Sequence, residues 1–134
     1  MVAEKPVRLL LLAGGAAAVA FLAWHFFGPE GKEPEKKTPE EARGELAKSD
    51  APPETRAEAA AQLGAMRDRQ SVPQLIAALE DDDLHVRARA NAAVIQILGA
   101  DFMFRADDPP ERRRQAVERI KKHWEAWLAK EPLP

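Results

Sequence analysis

Arg56-Ala57-Glu58-Ala59-Ala60-Ala61-Gln62-Leu63-Gly64, then Ser71-Val72-Pro73-Gln74-Leu75-Ile76-Ala77-Ala78-Leu79, then Asp82-Asp83-Leu84-His85-Val86-Arg87 is the stretch on which the fold turns. Its apolar residues recur at helical spacing. A first segment, about 53–66, places Ala59, Ala60, Leu63 and Met66 on one face. A second, about 72–80, carries Val72, Leu75, Ile76 and Leu79 at i, i+3, i+4 and i+7, with Ser71 placed as its N-cap. A third, about 84–98, aligns Val86, Ala90, Ala93, Val94 and Ile97, with Asp82 or Asp83 to open it and Gly99 to end it. A fourth, about 110–130, sets Val117, Ile120, Trp124, Trp127 and Leu128 on one stripe.

The first and third segments also match each other at an offset of 31 residues, pairing Arg56 with Arg87, Ala59 with Ala90, Leu63 with Val94 and Met66 with Ile97. A helix pair recurring at such a distance is how a stacked α-solenoid looks in sequence. The order of motifs resembles the HEAT-repeat pattern, and most closely the short HEAT-like type found in phycobilisome lyases. There Val-Pro opens the second helix of a repeat, as Val72-Pro73 does here, and Asp-x-x-Val-Arg marks entry into the next, as Asp83-x-x-Val86-Arg87 does. The likeness covers 52–99. The end of the chain, with Phe102, Phe104 and a proline-led helix ending in Trp124 and Trp127, resembles the C-terminal end of some bacterial HEAT-like proteins. Two departures stand out: Asn91 where alanine is usual, and Ile95 opposite Gly64 of the first unit. The expected fold is all-α, a short HEAT-like α-solenoid of about four helices over 51–134, preceded by a single transmembrane helix. Trp124 and Trp127, with Phe102 and Phe104 at the corner, are expected to cap its open end.

The transmembrane expectation rests on Leu9–Phe27, in which sixteen residues from Leu9 to Trp24 carry no polar side chain. Nineteen helical residues span about 28 Å, close to a hydrocarbon core of about 30 Å. Trp24, Phe26 and Phe27 sit where an interfacial aromatic belt belongs, and Arg8 can snorkel at the other boundary. A cleaved signal peptide is the competing reading, since Lys5 and Arg8 form an n-region and Ala16-Ala17-Ala18 or Ala18-Val19-Ala20 a cleavage motif. The apolar run outlasts the usual h-region, which favours an uncleaved anchor. Residues 1–8 are then a short cytoplasmic tail and the C-terminal domain is extracytoplasmic, periplasmic in a bacterium. Gly14, Gly15 and Ala18 would permit weak self-association in the membrane. Residues 28–50 read as a charged, proline-rich linker containing a weak helix, 39–48. Thr38, Pro39 and Glu41 form a capping box for that helix, but Gly44 interrupts it and few apolar residues support it, so a solvated spacer is expected.

Composition narrows the function. There is no cysteine, which excludes disulfides and thiolate chemistry. Net charge is −2 and the pI about 6.0, so no global field draws the chain to nucleic acid. Arg112, Arg113, Arg114, Arg119, Lys121 and Lys122 form a basic cluster, but Glu111, Glu118 and Glu125 interleave with it, and i,i+4 pairs such as Glu118 with Lys122 are expected. His85 and His123 lie on different helices without a second histidine one turn away, so no zinc motif forms. Glu80-Asp81-Asp82-Asp83 lacks the alternation and central glycine of a calcium loop and reads as a capping turn. No catalytic, cofactor-binding or metal-binding residue is assigned, and no cofactor. The chain is expected to be a membrane-anchored scaffold that binds an unidentified protein partner rather than nucleic acid, and not an enzyme. The alternative implied by the resemblance is a subunit or relative of a phycobilin-lyase-type enzyme.

Overall fold

Thr38 opens the first helix that the computed structural model describes. The described residues are 36–134, so the expected tail (1–8), the anchor (9–27) and most of the linker lie outside them. Within them the chain forms five α-helices: α1 (Pro39–Ala47), α2 (Pro53–Ala65), α3 (Val72–Ala78), α4 (Leu84–Leu98) and α5 (Pro110–Lys130). A 3-10 turn, Arg69–Ser71, leads into α3.

The helix expected to lie in a solvated spacer is a packed member of this unit, which begins at Lys37 rather than near Ala51. Its capping box forms as read: Glu41 N–H donates to Thr38 Oγ1 at 3.3 Å and Thr38 N–H to Glu41 Oε2 at 2.8 Å. Gly44 costs about 1 kcal/mol in a helix interior and meets nothing close enough to require a glycine. Docking offsets it. Ala42 and Leu46, one turn apart, are both buried in the common core. Arg43 then ties the helix to the connection between α2 and α3, donating to Gln70 and standing 3.6 Å from Asp68. Two apolar residues suffice because they complete a core that other helices already supply.

α2 and α4 lie side by side and run in the same direction, since Pro53 and Glu54 share a hollow with Asp83 and His85 while Gly64 meets Ala93 at the other end. At Gly64 the two backbones approach closely: a Cβ there would come within 2.7 Å of Ala93 Cα. α1 and α3 form a second parallel pair, with Arg43 beside Gln70 at one end and Leu46 and Ala47 beside Gln74 and Ala78 at the other. The core between the layers is Leu63, Leu75, Leu79, Val72, Val86 and Val94, all without exposed surface. Asp83 caps α4 by accepting from His85 and Val86 N–H at 2.8 and 3.0 Å, and Gly99 ends it at φ +72°. Ser71 does not cap α3. It is already helical at φ −83°, ψ −7°, within the 3-10 turn, and its hydroxyl donates to Asp68 O at 2.6 Å.

After Gly99 the repeat pattern stops. Residues 100–109 run back along α4 toward its start, placing Phe104 O near Asn91 and Ala106 O within 2.9 Å of Arg87 Nε. α5 therefore starts at the far end of α3 and runs against it, bringing Trp127 and Glu131 to Arg69. The returning segment packs along α4 where a further repeat would stack, which accounts for the departure at Asn91. Asn91 Nδ2 donates to the Phe104 carbonyl at 3.5 Å, and Ile95 is half-buried. Phe104, Val117, Ile120 and Trp124 are buried as the cap reading requires, while Trp127 and Leu128 are only half-buried. Met66, expected on the buried face, is 38% exposed because α2 ends before it.

Candidate interaction surface

The layer of α1 and α3 presents a seam with a hollow at each end. One hollow, about 330 Å³, lies between Leu46, Ala47, Gln74 and Ala77, with the Arg56–Asp81 pair at its edge. The other is an open groove of about 500 Å³ at the starts of α1 and α3, walled by Pro39, Arg43, Met66, Arg67, Trp127 and the segment 131–134. Three separate parts of the chain meet in it, which is why no local motif announces it.

Its walls are built by local backbone choices. α2 closes with Arg67 N–H donating to Gly64 O at 3.0 Å and Asp68 N–H to Leu63 O at 3.1 Å, a Schellman turn. Such a turn needs a left-handed residue, normally glycine, yet Arg67 holds it at φ +51°. That costs about 1–2 kcal/mol and swings Met66 and Arg67 outward to the groove. On the opposite wall Trp127 stacks on Trp124 at 5.0 Å and 3° between planes. The Arg69 guanidinium lies 4.8 Å above the Trp127 ring and 3.6 Å from Glu131. Arg67 makes no ion pair among the described residues.

The other charged features are structural. Arg56 forks onto Asp81, Nη2 to Oδ1 at 2.9 Å and Nε to Oδ2 at 3.0 Å, and also donates to the Ala51 carbonyl. Arg87, its equivalent one repeat later, donates to Asp81 O and Asp82 O, each at 2.8 Å. The matched arginines thus tie down matched turns. Burial pushes the Asp81 carboxyl up, but the Arg56 hydrogen bonds, the Asp83 N–H and the nearby arginine charges outweigh it and hold the group below the ordinary carboxylate range. The hydrogen bond to Asp81 in turn raises the Arg56 guanidinium. In the basic cluster, Arg113 donates to Asp108 O and Arg119 to Phe102 O, while Glu118 pairs with Lys121 at 3.1 Å rather than with Lys122. His123 sets its ring edgewise to Phe102 at 5.1 Å, and His85 borders the hollow between the starts of α2 and α4.

The sequence assigned no site residue, and the groove it missed is carried by Met66, Arg67, Arg69 and Trp127. Met66 and the half-exposed Trp127 had a signal in the chain, and periodicity placed both with the core.

A family profile describing HEAT repeats matches residues 40–121, from α1 into α5. Comparison with curated proteins and with solved structures finds no significant match.

Proposed function

The chain belongs to the HEAT-repeat family, and from that footing we propose that residues 37–134 form a protein-binding module tethered to a membrane by Leu9–Phe27. HEAT repeats generally mediate protein–protein interaction. The observation that carries the reading here is the groove at the starts of α1 and α3, where Met66 and Trp127 offer apolar surface beside the exposed Arg67. A surface of this kind binds through shape and a few anchors and needs no reacting group. We read the module as a binder, not an enzyme. The lyase-type kinship rests on the repeat pattern alone and adds no residue to this reading.

The tether is supported by the length and apolarity of Leu9–Phe27. Among the described residues no helix is long and apolar enough to cross a membrane. With the N-terminus in the cytoplasm, the module stands on the other face, in the periplasm if the source is bacterial.

One experiment addresses both parts. A photoreactive residue is placed at Gln70, on the groove rim, or at Arg89, on the α2–α4 layer, and the chain is expressed in its own membranes. The chain should stay with the membranes through a salt wash. Crosslinked adducts should form from position 70 and not from 89. Release by salt would remove the tether, and equal adducts from both positions would remove the assigned face.

A further inference from the structure

The charges of the folded unit are divided between its two halves. Residues 37–83, which form α1, α2 and α3, carry 6 Lys/Arg against 11 Asp/Glu. Residues 84–134, which form α4 and α5, carry 10 against 7. α5 sorts its own charges further. Glu111, Glu118 and Glu125 recur every seven residues and so lie along one side of the helix. Two of them are compensated there, Glu111 by Arg114 and Glu118 by Lys121, each at 3.1 Å. Arg112, Arg119, His123 and Lys130, at i, i+7, i+11 and i+18, lie along another side, with Lys122 between the two lines. Arg112, Arg119, Lys122 and Lys130 are all exposed, and none makes an ion pair among the described residues. Asp107 and Asp108 precede the start of α5, so the uncompensated stretch runs from Arg119 to Lys130.

Beside this stretch stands Met103, 75% exposed and the most exposed large apolar side chain among the described residues. It sits in the left-handed region at φ +59°, which a side chain resists. Three contacts fix the peptide that displays it. Asp101 Oδ1 accepts the Met103 N–H at 2.8 Å. Arg119 donates to the Phe102 carbonyl of that same peptide unit at 3.0 and 3.2 Å, and the His123 ring packs edgewise on Phe102.

We propose that this face, Met103 with Arg119, Lys122 and Lys130, docks on anionic phospholipid headgroups of the membrane that Leu9–Phe27 enters. The proposal rests on the tether reading above and adds a second contact with the same membrane. An apolar side chain set among cations suits a membrane interface: the cations meet lipid phosphates while the apolar group enters the acyl boundary. The acidic half is repelled by the same surface, which selects this face over α1 and α2. Chain length acts in the same direction. Only residues 28–36 separate Phe27 from the unit that begins at Lys37, and nine residues span about 30 Å at most. The chain also enters the unit close to the end of α5, since Pro39 and Glu40 line the same groove as Trp127 and Glu131. Docking is then intramolecular, and a contact too weak for a free protein suffices at the effective concentration a short connection gives.

The chain has no cysteine, so Met103→Cys takes a single NBD label, and Ala47→Cys, exposed on the acidic half, takes the control label. Each full-length chain is reconstituted in vesicles of phosphatidylcholine alone or of an equal mixture with phosphatidylglycerol. Emission from position 103 should rise and shift blue in the anionic vesicles only, and position 47 should not respond. In about 1 M salt, where the Debye length is about 3 Å, the response should vanish while the chain still floats with the vesicles. One Lys near an anionic surface is worth a factor of roughly five, so Lys122→Gln with Lys130→Gln should lower the docked-to-free ratio about 25-fold. Circular dichroism should be unchanged. Equal emission from position 103 in both vesicles, an equal response at position 47, or a docked fraction untouched by the double substitution would overturn the proposal. So would a response that appears only on adding polyglutamate or a DNA oligonucleotide, which would assign the face to another polyanion. If salt releases the chain from the vesicles, the tether reading falls and this proposal with it. If the chain stays while position 103 is silent, the docking falls and the tether stands.

Discussion

Trp124→Ala should lower the unfolding free energy by about 3–5 kcal/mol, the cost of emptying a buried large aromatic site. Trp124 is 6% exposed and lies in the same core cluster as Ile120, Val117 and Leu75. It belongs to a helix that runs against α3 and closes the apolar side a further repeat would otherwise cover. Emptying it opens a void in the cap, and a small domain has only about 5–15 kcal/mol to lose. Trp127→Ala should cost less, about 1–2 kcal/mol, because it removes a stacked pair and an exposed cation–π contact rather than a filled core position. Chemical denaturation of the full chain measures both. Equal losses would mean that the two rings are buried alike, and no loss from Trp124→Ala would mean that α5 is not the cap.

Arg56→Ala should destabilise the unit by about 2–4 kcal/mol, because it breaks a two-pronged charged contact and leaves a partly buried carboxylate and a turn carbonyl without their donor. The pair is mostly shielded, with side-chain exposures of 11% and 17%. The loss carries a pH signature. Asp81 is held below its unfolded value, so its contribution is fully present above the unfolded carboxylate pKa of about 3.9 and is lost as pH falls through the folded value. The stability gap between wild type and Arg56→Ala should therefore be flat above pH 5 and shrink as the solution is acidified below about pH 4. A gap that stays constant to pH 2 would show that Arg56 acts through packing and backbone contacts alone.

The repeat was legible because its helices bury residues at strict spacing: Val72, Leu75, Ile76 and Leu79 were read from the sequence and all are buried. Caps were legible where side-chain chemistry is local, as at Thr38 and Asp83. Ser71 failed because an unforeseen 3-10 turn begins the helical path one turn earlier. α1 failed for a different reason. Its own apolar content is too small to predict packing, and only the tertiary core makes Ala42 and Leu46 decisive. The direction of α5 was not legible either, since periodicity gives a helix's buried face and not the way it runs; the return of residues 100–109 along α4 sets that. The groove joins residues 39–43, 66–70 and 127–134, and its shape depends on Arg67 taking a left-handed conformation that sequence assigns to glycine.

The proposed binding face exists only if α1 is part of the stack, so the protection of α1 tests the account most directly. Hydrogen exchange of the full-length chain, followed by mass spectrometry, should show peptides from 42–48 protected within about tenfold of those from 57–65, because amides in one cooperative unit open together. Exchange of 42–48 at the rate of an unstructured peptide, with 57–65 still protected, would contradict it: α1 would be the spacer its sequence suggests, and the seam and the groove would not exist.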